Sequence, residues 1–134
     1  NDFWILKEVL NYNNSFEIII VEFNASFRDK CVSIPYQKNF DRFEAHPSGW
    51  YCGASLKAFI KLLNSHNYHL IKTIGGVNAF FVHKDYFEKL LNEKWLDEFN
   101  IRQINHLRKY GITNQRQFRL FVAAENLNNL RFED

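Results

Sequence analysis

The run from Ile18 to Phe23 constrains the fold of this chain more than any other stretch, because five of its six residues are apolar. Apolar residues on both faces are typical of a central parallel strand that helices cover, whereas a half-exposed strand would alternate. Only Glu22 interrupts the run, and Asn24 ends it. We therefore predict a strand over residues 17 to 24 that is buried on both faces and brings polar groups to one edge of a sheet.

Helical patterns lie on either side of this strand. The spacing of apolar residues predicts one helix over residues 3 to 11 and another over residues 54 to 65. Residues 25 to 52 contain both prolines of the chain and scattered aromatic residues, which predicts a long ordered loop. The order of helix, strand, loop and helix favours an α/β fold.

The second half of the sheet is a hairpin. Strand patterns over residues 68 to 74 and 77 to 83 are separated by Gly75 and Gly76, and glycine takes the positive φ values that a tight turn requires. The final strand should therefore run antiparallel to the strand before it. Beyond it, the pattern resumes as helical pieces.

Composition limits the possible functions. The 134 residues fit one domain, and the net charge of +2 gives no electrostatic footprint for nucleic acid or an anionic membrane. Apolar runs of four or five residues are too short to span a bilayer, and there is no signal peptide pattern. Two cysteines and five scattered histidines lack the spacing of a metal site, so we expect no metal and a cytoplasmic protein.

Six stretches, in this order, resemble the C-terminal half of FkbM-like, class I S-adenosylmethionine-dependent methyltransferases. They are "NDFW", "IIIVEFNASF", "SIPY", "YCGASLKAFIKLL", "NYHLI" and "GVNAFFVHKDYF". The resemblance covers residues 1 to 87 as a methyltransferase-like half-domain and leaves residues 88 to 134 as a helical C-terminal extension. It implies an α/β fold: a partial doubly wound, Rossmann-like sheet that ends in an antiparallel hairpin, with C-terminal helices.

The same resemblance implies that strand 77 to 83 lies between strands 17 to 24 and 68 to 74. It implies methyl transfer from S-adenosylmethionine to an oxygen or nitrogen of a small-molecule or carbohydrate-type acceptor. The glycine-rich loop that grips this cofactor is not in the sequence, so the cofactor-binding residues are unknown. The chain has no Met and opens on a helical pattern. We expect the missing N-terminal half of the domain to lie upstream.

Two carboxylates are the candidate catalytic residues. Ligands of open α/β sheets bind beyond the carboxyl ends of the strands, where Glu22 and Asn24 should lie. Asp2 should face the same crevice, so Glu22 and Asp2 are expected to position the acceptor. The structural alternatives are an ion pair of Glu22 with Arg28 or Arg42, and a helix cap for Asp2.

Five further residues are candidates for binding the acceptor. Asn24 could bind substrate or cap a turn. Tyr36 and Tyr51 could close over a substrate, Ser55 could hold an anion at a helix start, and Asn78 could form the crevice floor or be a satisfied core amide. His46 could act as a general base, but a histidine beside a proline in a loop is more often exposed.

A rival hypothesis belongs to another class of protein. The chain could be a non-catalytic module that keeps the half-fold to bind a partner. The upstream coding sequence distinguishes the two, because a strand followed by a glycine-rich turn favours the enzyme.

Overall fold

The computed structural model of the protein describes residues 1–13 and 15–86. The prediction of a helical extension over residues 88 to 134 therefore lies outside the described residues. The elements form a mixed α/β fold. They are α1 (Asp2–Tyr12), β1 (Ile18–Glu22), a 3-10 turn (Ala25–Phe27), α2 (Arg42–Ala45), α3 (Leu56–Asn64), β2 (Tyr68–Ile74) and β3 (Asn78–His83).

The three strands form one antiparallel sheet in the order β1-β3-β2. In β1, Ile18 pairs with Val82 and Glu22 pairs with Asn78. Because β1 and β2 both run antiparallel to β3, they point in the same direction. The predictions that the last strand lies between the other two, and that it closes a hairpin, are confirmed. Within the described residues β1 pairs on one side only, so it is an edge strand.

The prediction that β1 is buried on both faces is wrong for the described residues. Ile19 is buried, but Ile18 and Ile20 are 56% and 58% exposed. The cause is that α1 and α3 contribute Phe3, Leu10, Phe59 and Leu63 to a single core with Ile19. Both helices therefore cover the same face of the sheet, which we call the inner face, whereas Ile18 and Ile20 are exposed on the opposite, outer face.

Helix α3 forms because its apolar residues recur on one side and because Ser55 caps its N-terminus. The Ser55 hydroxyl accepts a hydrogen bond from the backbone N–H of Ala58 at 3.1 Å, which satisfies one of the unpaired donors of a helix start. Leu56, Phe59 and Leu63 are then buried in the core against the inner face.

The predicted long loop is ordered, as expected. Two backbone hydrogen bonds join the first part of this loop to the segment before α3. Ile34 N–H donates to the Gly53 carbonyl at 3.0 Å, and Ser55 N–H donates to the Val32 carbonyl at 2.9 Å. A second small core of Phe27, Ile34 and Tyr51 lies beneath it. The loop is thereby fixed beside the end of β1.

Candidate functional site

A cavity of about 360 Å³ opens at the edge of the sheet where β1 ends and β3 begins. Its lining comes from the start of α1, the end of β1, the segment 40–53 and the turn before β3. The lining residues are Asn1, Asp2, Glu22, Phe23, Asn24, Ala25, Phe40, Arg42, Phe43, Ser48, Gly49, Trp50, Cys52, Gly53, Gly76 and Val77. The structure thus brings together three of the predicted site residues: Asp2, Glu22 and Asn24.

Glu22 and Asp2 are exposed carboxylates of this cavity. The described part of the chain contains no ion pair of Glu22, although Arg42 lines the same cavity. Asp2 is not the cap of α1, since that position belongs to Asn1, whose own side chain is hydrogen-bonded to the backbone of Gln37. Both carboxylates are therefore available to a bound molecule.

Asn24 has a structural role in the cavity wall. Its side-chain nitrogen donates to the backbone carbonyls of Trp50 at 2.7 Å and Cys52 at 2.9 Å. Its side-chain oxygen accepts from the backbone N–H of Ser26 at 2.9 Å and so caps the 3-10 turn. Because both amide hydrogens are used, Asn24 has no donor left for a ligand. This arrangement agrees with the alternative that Asn24 caps a turn.

Aromatic rings form part of the cavity wall. Phe40, Phe43 and Trp50 all line the cavity. The Arg42 guanidinium lies over the Phe43 ring, 4.8 Å from its centre, a favourable cation–π contact. Gly49 has a φ of +68°, and a Cβ there would lie 2.7 Å from Phe43 Cε1. Only glycine therefore fits beneath this ring without strain.

The short helix α2, which carries Arg42 and Phe43, is held by its cap. Asp41 accepts hydrogen bonds from the backbone N–H groups of Glu44 at 3.0 Å and Phe43 at 2.7 Å. These two bonds, that of Glu44 first, lower the pKa of the Asp41 carboxyl. The cap fixes the orientation in which Arg42 and Phe43 face the cavity.

The remaining predicted residues do not line this cavity. Tyr51 is buried in the second core, and Ser55 is buried as the cap of α3. Asn78 pairs with Glu22 across the sheet, next to the cavity residue Val77. Tyr36 lies on the other side of α1, in an apolar groove with Trp4 and Tyr12, among others.

The prediction that His46 is exposed is wrong. The residue is 3% exposed, and its Nδ1 lies 2.7 Å from the Ser48 hydroxyl and 3.2 Å from the Ser48 backbone nitrogen. The polar residue two positions later supplies these partners, so the imidazole can be buried in the loop. The contact between His46 and Ser48 fixes the backbone before Trp50, because the Trp50 backbone N–H donates to the same Ser48 hydroxyl at 3.1 Å.

Sequence reasoning missed Phe43, Trp50 and Cys52 as cavity residues and treated Arg42 only as a possible partner of Glu22. No spacing marks these residues, because the fold of the loop alone brings them together. Burial raises the pKa of the Cys52 thiol, while the nearby Arg42 charge lowers it to a smaller extent. Cys52 is therefore a neutral thiol in the cavity wall at neutral pH.

Searches with the sequence and the structure found no matching protein family, curated protein or solved structure. Among residues 1–13 and 15–86, no group of three or more His, Cys, Asp or Glu side chains could hold a metal ion. None of the helices in that part of the chain is both long and apolar enough to cross a membrane.

Proposed function

We propose that this chain is the C-terminal, substrate-side part of an S-adenosylmethionine-dependent methyltransferase that methylates an oxygen or nitrogen of a small molecule or carbohydrate. The observation that carries the proposal is the strand arrangement. Two strands of the same direction, β1 and β2, flank the reversed strand β3, and a cavity lies at the carboxyl end of β1. Open α/β sheets bind their ligands at such an edge.

The finer fold belongs to the same proposal: the three strands are the end of a Rossmann-like sheet whose other strands lie upstream. The edge of β1 would receive the next strand, and a glycine-rich loop in that upstream half would hold the cofactor. The two cysteines are free, as suits a reducing cytoplasm. The bound cofactor would supply an electrophilic methyl group.

The residues of this chain would align the acceptor. The Glu22 or Asp2 carboxylate would accept a hydrogen bond from the acceptor hydroxyl or amine, and would take its proton as the methyl group is transferred. The rings of Phe43 and Trp50 would cover the apolar surface of the acceptor and exclude water. Asn24 would act only by holding the wall in place.

Calorimetry with S-adenosylmethionine tests the proposal on two proteins. The 134-residue chain alone should show no measurable binding, because the cofactor loop lies outside it, whereas the protein extended by its upstream coding sequence should bind at micromolar concentration. Binding by the chain alone would place the cofactor site elsewhere. No binding by the extended protein would favour the rival, a non-catalytic binding module.

A further inference from the structure

The cavity at the end of β1 is lined by charges of both signs. Among the described residues of its lining, Arg42 is the only lysine or arginine, and Asp2 and Glu22 are the only carboxylates. The three belong to different elements, since Arg42 begins α2, Asp2 begins α1 and Glu22 ends β1. A cavity of about 360 Å³ has the size of a small-molecule site. One small ligand can therefore meet a cation and a carboxylate of the protein at the same time.

The Arg42 guanidinium is held at the cavity while its donors stay free. Its contact with the Phe43 ring, at 4.8 Å from the ring centre, involves no N–H donor of a hydrogen bond. In the part of the chain that the structure describes, the guanidinium has no hydrogen-bond or ion-pair partner. The neighbouring Asp41 carboxylate accepts instead from the backbone N–H groups of Phe43 and Glu44. The planar fork of an arginine matches a carboxylate with two parallel hydrogen bonds, so Arg42 can bind the carboxylate of a ligand.

The Asp2 and Glu22 carboxylates can bind the opposite charge. Both residues are exposed in the cavity, and within residues 1–13 and 15–86 neither carboxylate has a hydrogen-bond or ion-pair partner. An ammonium group has three donors and no acceptor, whereas an ionised carboxylate only accepts. A protonated amine is therefore the ligand group that suits this pair.

The Cys52 thiol shows that the two kinds of charge lie near the same part of the cavity. Burial has the largest effect on its pKa and raises it, while the Arg42 charge lowers it and the Asp2 charge raises it to smaller extents. One thiol of the cavity wall is thus within electrostatic range of a cation and an anion. The rings of Phe43 and Trp50 add apolar surface to the same lining.

We propose that the small molecule bound in this cavity is an amino acid or a close relative that carries both an amine and a carboxylate. Arg42 binds its carboxylate, and Glu22 and Asp2 bind its amine. Its apolar part lies against Phe43 and Trp50. The inference rests on the proposed function only in treating this molecule as the methyl acceptor, and it narrows that acceptor to one chemical class.

Ligand-observed NMR titration of the 134-residue chain tests this class with three probes of similar shape. They are phenylalanine, phenethylamine, which lacks the carboxylate, and 3-phenylpropionate, which lacks the amine. Phenylalanine should bind about tenfold more tightly than either analogue, because it alone forms charge-assisted hydrogen bonds at both ends. Binding of phenylalanine that is equal to or weaker than that of an analogue would overturn the inference. Absence of binding of all three probes at about 10 mM would overturn it as well.

Two variants assign the selectivity to the named residues. With Arg42→Gln, phenylalanine should bind no more tightly than phenethylamine, whose unchanged affinity reports an intact cavity. With Asp2→Asn and Glu22→Gln together, the preference over 3-phenylpropionate should disappear. Lys38→Gln, at an exposed position outside the lining, is the control and should keep both preferences. A preference for the carboxylate that survives Arg42→Gln would overturn the inference.

This titration and the cofactor experiment can fail independently, because S-adenosylmethionine takes no part in the titration. If the extended protein does not bind the cofactor, the methyltransferase proposal fails and the ligand class stands. If the probes show no selectivity, the ligand class fails and the methyltransferase proposal stands.

Discussion

The side-chain nitrogen of Asn24 lies 2.7 Å from the backbone carbonyl oxygen of Trp50. The residue that follows the end of β1 thus holds the loop that carries the aromatic wall of the cavity. Because Asn24 also caps its own turn, one side chain fixes the strand end and the loop relative to each other. The geometry of the cavity depends on this amide, although its N–H groups are already used and none is free to bind a ligand.

Removing this amide should destabilise the protein. Asn24→Ala leaves the carbonyl groups of Trp50 and Cys52 without their side-chain donor, and we expect a loss of about 1–3 kcal/mol in the free energy of unfolding. Urea titration measures the loss. Asn39→Ala, at an exposed position, is the control and should change stability little. Equal effects of the two substitutions would contradict the structural role of Asn24.

Alanine substitutions at Gly49 and Gly53 distinguish the effect of backbone strain from that of steric crowding. Gly49 and Gly53 have φ values of +68° and +69°, but only at Gly49 would an added Cβ collide with a ring, that of Phe43; nothing lies within 4 Å at Gly53. Both alanine variants should lose about 1 kcal/mol through the left-handed backbone. Gly49→Ala should lose more in thermal unfolding and should shift the aromatic NMR signals of Phe43. Identical losses would mean that the ring moves aside freely.

Glu22→Gln tests the proposed chemistry in the protein extended upstream. If the carboxylate orients or deprotonates the acceptor, turnover should fall at least roughly tenfold. The measurement is S-adenosylhomocysteine release with a panel of hydroxyl and amine acceptors, and Glu44→Gln, outside the cavity, is the control. An unchanged rate with an altered melting temperature would instead assign Glu22 a structural role.

The Cys52 thiol should titrate above the ordinary value of 9.0, because burial raises its pKa. Its alkylation rate should therefore rise at higher pH than that of a free thiol. Arg42→Ala should raise the pKa further, since the guanidinium favours the thiolate, and Lys38→Ala is the control. The folded-state pKa lies above the unfolded one, so this thiol's contribution to stability is present below pH 9.0 and is lost as the pH rises through the folded value. A Cys52 profile identical to that of a free thiol would contradict the burial.

The open edge of β1 should make the isolated chain self-associate. Residues 17 to 24 contain no Lys, Pro or Gly that would blunt an edge, and β1 pairs on one side only in the described residues. Light scattering at increasing concentration should show a rising mean mass. A stable monomer at high concentration would count against the half-domain hypothesis.

Much of the fold could be predicted because its signals are local. The turn at Gly75 and Gly76 depends on two residues that take φ values of +64° and +70°, and the start of α3 depends on the Ser55 cap. The position of β3 between its neighbours came from the resemblance of ordered motifs. The predicted limits of β2 agree with the structure, β3 begins one residue later than predicted, and β1 is shorter by one residue at its start and by two at its end.

The predictions that were wrong concern the burial and the neighbours of individual residues rather than the positions of helices and strands. The apolar residues of β1 indicate a strand but not how many layers cover it, so the exposure of Ile18 and Ile20 could not be inferred. The burial of His46 depends on its contact with Ser48, which requires a particular loop path. Phe43 and Trp50 line the same cavity as Glu22 only because a loop of more than twenty residues folds back, and no periodicity of the sequence indicates that path.

The pairing of Glu22 with Asn78 has a consequence for the order of events during synthesis. The pair joins two residues that lie far apart in the sequence. β1 therefore leaves the ribosome long before β3, its strand partner in the described residues, has been synthesised. Gly76 and Val77, which also line the cavity, are synthesised at the same late stage as β3. The pairing of β1 with β3 cannot form until β3 emerges, and a chaperone that shields residues 18–22 during this interval would raise the yield without contacting the finished site.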